Sequence, residues 1–128
     1  MSARPDGRRL ILVADDDPDI LALVTLRLER AGFHVIQATD GDTALEIARK
    51  DAPALAVLDV SMPARNGFEV TRELRRHDPT RATRVLLLTA RAQEADKALG
   101  AEAGADAYMT KPFSPRELLR QIEDVLER

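Results

Sequence analysis

The sequence predicts an α/β fold in which five parallel strands alternate with five helices that cover both faces of one doubly wound sheet. Short apolar runs alternate along the chain with segments of helical periodicity, the pattern of repeated strand–helix units. The first run, LILVA at residues 10–14, is apolar at successive positions, as expected of a strand buried on both faces. The length of 128 residues, with 45% hydrophobic and 32% charged residues, fits one globular domain with a sizeable core.

Five apolar runs predict the strands of this sheet. The run LAVLDV at residues 55–60 is the most apolar and is therefore expected at the centre. The run at 33–38 alternates between apolar and polar residues, which indicates a strand near the edge of the sheet. In chain order, the predicted strands span residues 10–14, 33–38, 55–60, 84–90 and 107–113.

Capping residues predict where the helices begin and end. Asp17 is expected to be the N-cap of the first helix, with Pro18 at its first position and Gly32 as a left-handed residue after its end. Ser114 and Glu117 predict a capping box at the start of the last helix. The other helices are predicted over residues 41–51, 68–78, 94–104 and 115–128. Core-facing positions of the first two helices are predicted at Ile20, Leu23, Val24, Leu28, Ala44, Leu45 and Ala48.

Composition and charge exclude several classes of function. The chain has no cysteine and two histidines, which argues against disulfides, thiolate metal sites and a zinc site. The net charge of −3 argues against direct binding of nucleic acid. The apolar runs are too short to span a membrane, and the first residues lack the apolar stretch of a secretory signal, so we expect a cytoplasmic protein without membrane contact. We expect a flexible segment over residues 1–9 and one domain over residues 10–128.

Polar residues lie at the ends of four predicted strands. Asp15 and Asp16 follow the first strand, Asp59 lies at the end of the third, and Thr89 and Lys111 lie at the ends of the fourth and fifth. In parallel sheets of this type, ligands bind beyond the carboxyl ends of the strands, where the strand order reverses. We therefore expect these side chains to form one site.

The acidic residues indicate a magnesium site. Asp59 lies in an apolar run, where a carboxylate is costly unless it is paired or bound to a metal. Together with Asp15 and Asp16 it would provide hard oxygen ligands, which suit Mg²⁺. Asp15 and Asp16 could instead be turn residues, and Thr89 could be an ordinary β-branched strand residue.

Lys111 is one of few lysines in an arginine-rich chain. A lysine at this position could extend into solvent, whereas one directed at the acidic residues would supply a point charge for phosphate oxygens. Its bond to Pro112 could be cis, although most such bonds are trans. Replacement of Lys111 by Ala is predicted to impair function more than folding, since its charge is useful only beside phosphate and carboxylates. Thermal stability is predicted to stay equal or to rise, because the three nearby carboxylates lose little without metal.

These residues and several flanking phrases together resemble the receiver domain of two-component response regulators. The resemblance covers residues 10–128, and the motifs occur in the order and at the spacing of that family. The motifs are DD at 15–16, the Asp59 of LDVSMP, MP and NG within 62–67, TA at 89–90, GADAY at 104–108 and KPF at 111–113.

The resemblance implies a flavodoxin-like fold with the strand order 2-1-3-4-5, and it implies a phosphorylation site that uses Mg²⁺. Asp59 would be the phospho-acceptor. Asp16 and Asp59 would bind Mg²⁺, Asp15 would hold a metal-bound water, and the carbonyl of Ser61 would complete the metal shell. The phosphoryl group would come from the phosphohistidine of a sensor histidine kinase or from a phosphotransfer protein. The chain would be a signalling domain that catalyses only its own phosphoryl transfer and dephosphorylation.

The resemblance also implies a switch. Thr89 and Lys111 would bind phosphoryl oxygens, and Tyr108 would change rotamer when Thr89 moves inward. The signal would reach a downstream protein or an output domain through the face formed by the fourth helix, the fifth strand and the fifth helix.

Two further residues are expected to set the lifetime of the phosphorylated state. Ser61 and Arg91 lie two positions beyond Asp59 and Thr89, and they would flank the path of the water that removes the phosphoryl group. Ser61 is small and leaves the path open. Arg91 is long enough to lie across it, so Arg91 is predicted to slow dephosphorylation.

Two other classes of protein fit the sequence less well. A Mg²⁺-dependent phosphatase or phosphotransferase on a related sheet would usually carry a second aspartate two residues beyond the nucleophile, and that position is Ser61. A nucleotide- or flavin-binding module would need a glycine-rich first turn, whereas residues 14–19 read ADDDPD.

Overall fold

The computed structural model describes residues 7–90 and 94–128. The strands are β1 (Leu10–Ala14), β2 (His34–Ala38), β3 (Leu55–Asp59), β4 (Arg84–Thr89) and β5 (Ala107–Thr110). They form one parallel sheet in the order β2-β1-β3-β4-β5, which confirms the predicted order and places β2 at one edge. The order reverses between β1 and β3, the place where such sheets bind ligands.

Five α-helices cover the two faces of the sheet. They are α1 (Pro18–Arg30), α2 (Gly41–Asp51), α3 (Gly67–Arg76), α4 (Glu94–Ala103) and α5 (Pro115–Leu126). The α1 and α5 helices pack on one face, where Leu28 and Ile122 are fully buried. On the other face α2, α3 and α4 contribute to a second apolar cluster that includes Ala48 and Leu74. Among the described residues, no helix is both long enough and apolar enough to cross a membrane.

Side-chain caps explain several helix starts. The carboxylate of Asp17 accepts a hydrogen bond from the backbone N–H of Asp19 at 2.9 Å, as expected for the N-cap of α1. Ser114 accepts from the backbone N–H of Glu117 at 3.0 Å at the start of α5. A complete capping box would also have the Glu117 side chain accept a hydrogen bond from the backbone N–H of Ser114. The Glu117 carboxylate instead lies 2.7 Å from the guanidinium of Arg120.

Several predicted boundaries and one predicted core residue differ from the structure. Leu23 is 48% exposed, and Leu21 is buried in its place because the sheet-facing stripe of α1 runs through Leu21, Val24 and Leu28. The third helix ends at Arg76 and is followed by a short 3-10 turn that contains Pro79, since a proline disfavours continued α-helix before it.

The segment predicted to be flexible falls mainly outside the described residues. Its last residue is ordered by the sheet, because the carbonyl of Arg9 accepts a hydrogen bond from the N–H of His34 at 2.9 Å. The flexibility of residues 1–9 therefore stays a prediction.

The strand register brings the ends of β1, β3, β4 and β5 to one edge. Ala14 is level with Leu58 on β3, so Asp15, which follows β1, lies at the same height as Asp59, the last residue of β3. On the other side, Thr89 is level with Thr110, directly before Lys111. The topology thus places residues from four separate segments beside each other.

Candidate functional site

Three carboxylates meet at the ends of β1 and β3. One oxygen atom each from Asp15, Asp16 and Asp59 lies within 4.8 Å of the others. Asp15 is 0% exposed and Asp59 is 4% exposed, whereas Asp16 is exposed. The site is therefore a buried acidic pair that is open to solvent on the side of Asp16.

Lys111 reaches this acidic group from the end of β5. Its Nζ donates a hydrogen bond to Asp15 Oδ2 at 2.9 Å and lies 3.5 Å from Asp59 Oδ1. The side chain is 19% exposed, so it is directed inward and does not extend into solvent. The peptide bond between Lys111 and Pro112 is cis. Lys111 is thus a counter-ion for two buried carboxylates.

Burial and the neighbouring charges shift the pKa values of both Asp59 and Lys111. Burial and the neighbouring Asp15 carboxylate raise the pKa of Asp59, while the Lys111 ammonium and the N–H of Ser61 offset this in part. Burial by itself would lower the pKa of Lys111, but its hydrogen bond to Asp15 and the charges of Asp59 and Asp15 raise that pKa overall. These protein contacts therefore keep Lys111 charged and compensate the charge of Asp59 incompletely.

The loop after β3 contacts Asp59 directly. The backbone N–H of Ser61 donates to Asp59 Oδ1 at 3.3 Å, and the side chain of Ser61 is exposed. We call residues 60–66, which connect β3 to α3, the β3–α3 loop. Its first residues lie beside the carboxylates, and the role of the Ser61 carbonyl in a metal shell stays a prediction.

Thr89 and Tyr108 lie near the site on β4 and β5. Thr89 is 2% exposed, and its carbonyl accepts a hydrogen bond from the N–H of Lys111 at 2.6 Å. Tyr108 is half-buried and packs against the apolar cluster of α2, α3 and α4. Arg91, the residue predicted to shield the site, lies outside the described residues.

The residues present fit a divalent cation. Among the described residues, three carboxylates face one ammonium group, so these residues leave negative charge uncompensated where two of the carboxylates are buried. Oxygen donors with one open, exposed side suit Mg²⁺, which keeps several of its waters. A hard cation at this position would remove the repulsion between Asp15 and Asp59.

The sequence profile of the response regulator receiver domain matches residues 11–123, almost the whole chain. The chain belongs to this family. The receiver domain is a phospho-accepting module of two-component systems, so membership of this family favours the receiver-domain interpretation over the phosphatase alternative.

Relatives and solved structures agree with the receiver-domain assignment. The chain is 48% identical over 118 residues to the alkaline phosphatase synthesis transcriptional regulatory protein PhoP of Bacillus subtilis, a match that covers 92% of this chain and 48% of that protein. A putative response regulator from Chloroflexus aurantiacus has a TM-score of 0.89 and 34% identity, with 94% of this chain and 99% of that chain covered.

A third comparison concerns the metal. The receiver domain of a sensor histidine kinase from Pseudomonas aeruginosa, solved with a magnesium ion in its active site cleft, has a TM-score of 0.87 and 27% identity. That match covers 94% of this receiver domain and 99% of that chain. The chain spans about half the length of the curated relatives it matches.

Sequence reasoning missed two arrangements in this receiver domain, one at the edge of the sheet opposite the site and one beside the β3–α3 loop. Arg75 of α3 donates to the carbonyl of Gly104 and to the carboxylate of Asp106, both at 3.0 Å, and it joins segments far apart in the sequence. No local pattern indicates such contacts. Gly41, the first residue of α2, lies against the backbone of Arg65. A glycine at the first position of a helix is a signal for such a close approach.

Proposed function

We propose that this receiver domain accepts a phosphoryl group on Asp59 in a two-component phosphorelay. The donor would be the phosphohistidine of a sensor histidine kinase or of a phosphotransfer protein. One observation carries the proposal: Asp59 ends a central strand, and its carboxylate lies beside Asp15 and 3.5 Å from the ammonium of Lys111. Phosphoryl transfer requires chiefly positioning and charge neutralisation, and this arrangement supplies both.

Each residue of the site has a role in this reaction. A carboxylate oxygen of Asp59 attacks the phosphorus, the phosphorus–nitrogen bond breaks, and its electron pair goes to the imidazole of the donor. Lys111 stabilises the charge on the phosphoryl oxygens, because its Nζ already lies within ion-pair distance of Asp59. The hydroxyl of Thr89 donates to another phosphoryl oxygen after the transfer.

Mg²⁺ completes the proposed site. Asp16, Asp59 and the carbonyl of Ser61 would hold the ion, and Asp15 would hold one of its waters. The bound ion supplies positive charge that neutralises the carboxylates and the incoming phosphoryl oxygens. Asp59 must be ionised to attack, and the same charge would counteract the burial that raises its pKa.

Phosphorylation would be transmitted to one face of the domain. The added charge and oxygens draw Thr89 towards Asp59, and the space behind Thr89 becomes available to Tyr108. Tyr108 belongs to β5 and packs beside α4, so its movement would alter the face formed by α4, β5 and α5. A downstream protein or an output domain would bind this face.

The remaining properties follow from the same proposal. Ser61 and Arg91 would set the rate at which water removes the phosphoryl group, and the domain would catalyse no reaction other than its own phosphorylation and dephosphorylation. We infer that it acts in the cytoplasm and contacts neither nucleic acid nor membrane itself.

Incubation with a small acyl phosphate and Mg²⁺ tests this function. Intact mass should rise by one phosphoryl group, and Asp59→Asn should abolish the rise because the attacking oxygen is lost. Asp124→Asn, which removes an exposed carboxylate on α5, is the matched control and should be modified like the unsubstituted chain. Equal modification of the Asp59→Asn variant would contradict the assignment. Sustained turnover of many phosphomonoester molecules per chain would instead support the phosphatase alternative.

A further inference from the structure

The β3–α3 loop is held by the first turn of α2, an element that contributes no ligand to the proposed site. The backbone N–H of Gly41 donates to the carbonyl of Pro63 at 3.1 Å. Next to it, Asp42 Oδ1 lies 2.7 Å from Arg65 Nε. The start of α2 is itself fixed, because Asp40 caps it by accepting from the N–H of Thr43 at 2.7 Å.

Residue 41 must be a glycine because there is no room for a side chain, and not because its backbone conformation demands one. Its φ lies outside the left-handed region, and it is buried. A Cβ atom at Gly41 would overlap the carbonyl oxygen of Arg65 and would lie 2.6 Å from the Cβ of Arg65. Both are atoms of the loop that cannot rotate away, so any side chain at Gly41 must push the loop from α2 or tilt α2 away from the loop.

The end of the loop at Gly67 is also tightly packed, though less so than the contact at Gly41. The N–H of Gly67 donates to the carbonyl of Val60 at 3.1 Å, and a Cβ atom at Gly67 would lie 2.8 Å from the carbonyl oxygen of Asp59. Between these ends, Ala64 has a φ of +68°, a conformation that costs a residue with a side chain about 1–2 kcal/mol. The loop is thus held in one strained geometry by contacts at both ends.

This geometry determines where Ser61 lies. The N–H of Ser61 contacts Asp59 Oδ1 at 3.3 Å, and its carbonyl is the backbone ligand of the proposed metal shell. A loop displaced at Arg65 carries Ser61 with it, because only three residues separate them and Gly67 anchors the far end.

We propose that Gly41 is a positioning residue for the phosphorylation site: by lacking a side chain, it lets the β3–α3 loop rest on α2 and so sets the place of Ser61 beside Asp59. The proposal rests on the function proposed above. The first turn of α2 thereby becomes part of the machinery that aligns metal and acceptor, although it touches neither.

The test is Gly41→Ala, studied without and with Mg²⁺. We expect the amide NMR signals of Ser61 and Gly67 to shift in the metal-free protein, since a displaced loop changes their hydrogen bonds. We also expect Mg²⁺ to bind about ten-fold more weakly, because a misplacement of about 1 Å in a positioned site has large effects. The rate of phosphorylation by a small acyl phosphate should fall in parallel, whereas the far-ultraviolet circular dichroism should be retained.

Two variants serve as controls. Gly100→Ala makes the same chemical change inside α4, where the nearest atom to the new Cβ is a terminal methyl carbon of Leu87 at 3.1 Å and not a backbone atom. Asp42→Asn removes the ion pair with Arg65 without adding any atom to the contact. Both should bind Mg²⁺ within about two-fold of the unsubstituted chain, since an exposed ion pair contributes little.

A folded Gly41→Ala variant with unchanged Mg²⁺ affinity and unchanged Ser61 and Gly67 signals would overturn the proposal. If that variant does not fold, the same substitution is placed in the Asp59→Asn background, which lacks the repulsion with Asp15. There the amide signals of Ser61 and Gly67 decide: shifted signals support the proposal and unshifted signals refute it. Failure of the unsubstituted chain to bind Mg²⁺ would refute the proposed function, while the metal-free signals would still test the role of Gly41.

Discussion

Removing the charge of Lys111 should destabilise the metal-free protein. The Nζ atom donates to Asp15, which is fully buried, at 2.9 Å and lies 3.5 Å from Asp59. Lys111→Met keeps a long apolar side chain and removes only the ammonium group. The substitution therefore removes the counter-ion that the described residues provide for two carboxylates in one buried site.

The size of the effect follows from these contacts. A hydrogen bond between charged groups contributes about 1.5–3 kcal/mol, whereas breaking a fully buried ion pair costs about 3–5 kcal/mol. Because the Lys111 side chain is 19% exposed and not fully buried, we expect the smaller of these two costs, about 1.5–3 kcal/mol. For a chain of 128 residues, 1 kcal/mol corresponds to about 4 °C in Tm, so we expect Tm to fall by about 6–12 °C.

Thermal unfolding followed by circular dichroism in a metal chelator measures this effect. Saturating Mg²⁺ should reduce the difference between variant and unsubstituted chain, because a bound cation stabilises the folded state and replaces the missing charge. Lys50→Met, at an exposed position in α2, is the matched control and should change Tm little. Adding Asp15→Asn to Lys111→Met should recover part of the loss. A Tm that is unchanged or higher in Lys111→Met without metal would refute the reasoning.

Three other predictions concern single residues. Burial and Asp15 raise the pKa of Asp59 in the folded protein, so ionisation of Asp59 lowers the free energy of unfolding above that pKa. This loss of stability disappears as the pH falls towards 3.8, the ordinary pKa of an aspartate. Asp59→Asn should therefore raise Tm of the metal-free protein at neutral pH, with a gain that shrinks in acid; a Tm that falls at neutral pH would contradict this. Asp16→Ala should weaken Mg²⁺ binding at least ten-fold, as followed by NMR titration, yet change Tm little because Asp16 is exposed; unchanged affinity would exclude it as a ligand. Arg91→Ala should shorten the half-life of the phosphorylated state, measured by loss of the phosphoryl mass, and an equal or longer half-life would show that Arg91 does not shield the site.

The fold could be predicted from the sequence because local and long-range signals agree. Continuous apolar runs specify strands buried on both faces, and capping residues such as Asp17 and Ser114 mark helix starts. The meeting of Asp15, Asp59, and Lys111 follows from topology alone, since all parallel strands end at one edge. The distances between these side chains could be obtained only from the structure.

Three-dimensional packing decides what the sequence could not show. Stability after loss of Lys111 was predicted from the sequence to be equal or higher, and the structure reverses that expectation because Lys111 already pairs with Asp15. Leu23 fits a helical apolar pattern, but the rotation of α1 on the sheet exposes it and buries Leu21. The contact between Gly41 and Arg65 joins residues 24 positions apart and is a matter of backbone shape.

The most direct test of the central claim is to locate the phosphoryl group chemically. Borohydride reduces an acyl phosphate to an alcohol, so that a phosphorylated aspartate becomes homoserine and can be found by peptide mass spectrometry. We predict homoserine at Asp59 after treatment with a small acyl phosphate and Mg²⁺, and unmodified aspartate at Asp15 and Asp16. Homoserine at Asp15 or Asp16 with Asp59 intact would contradict the account.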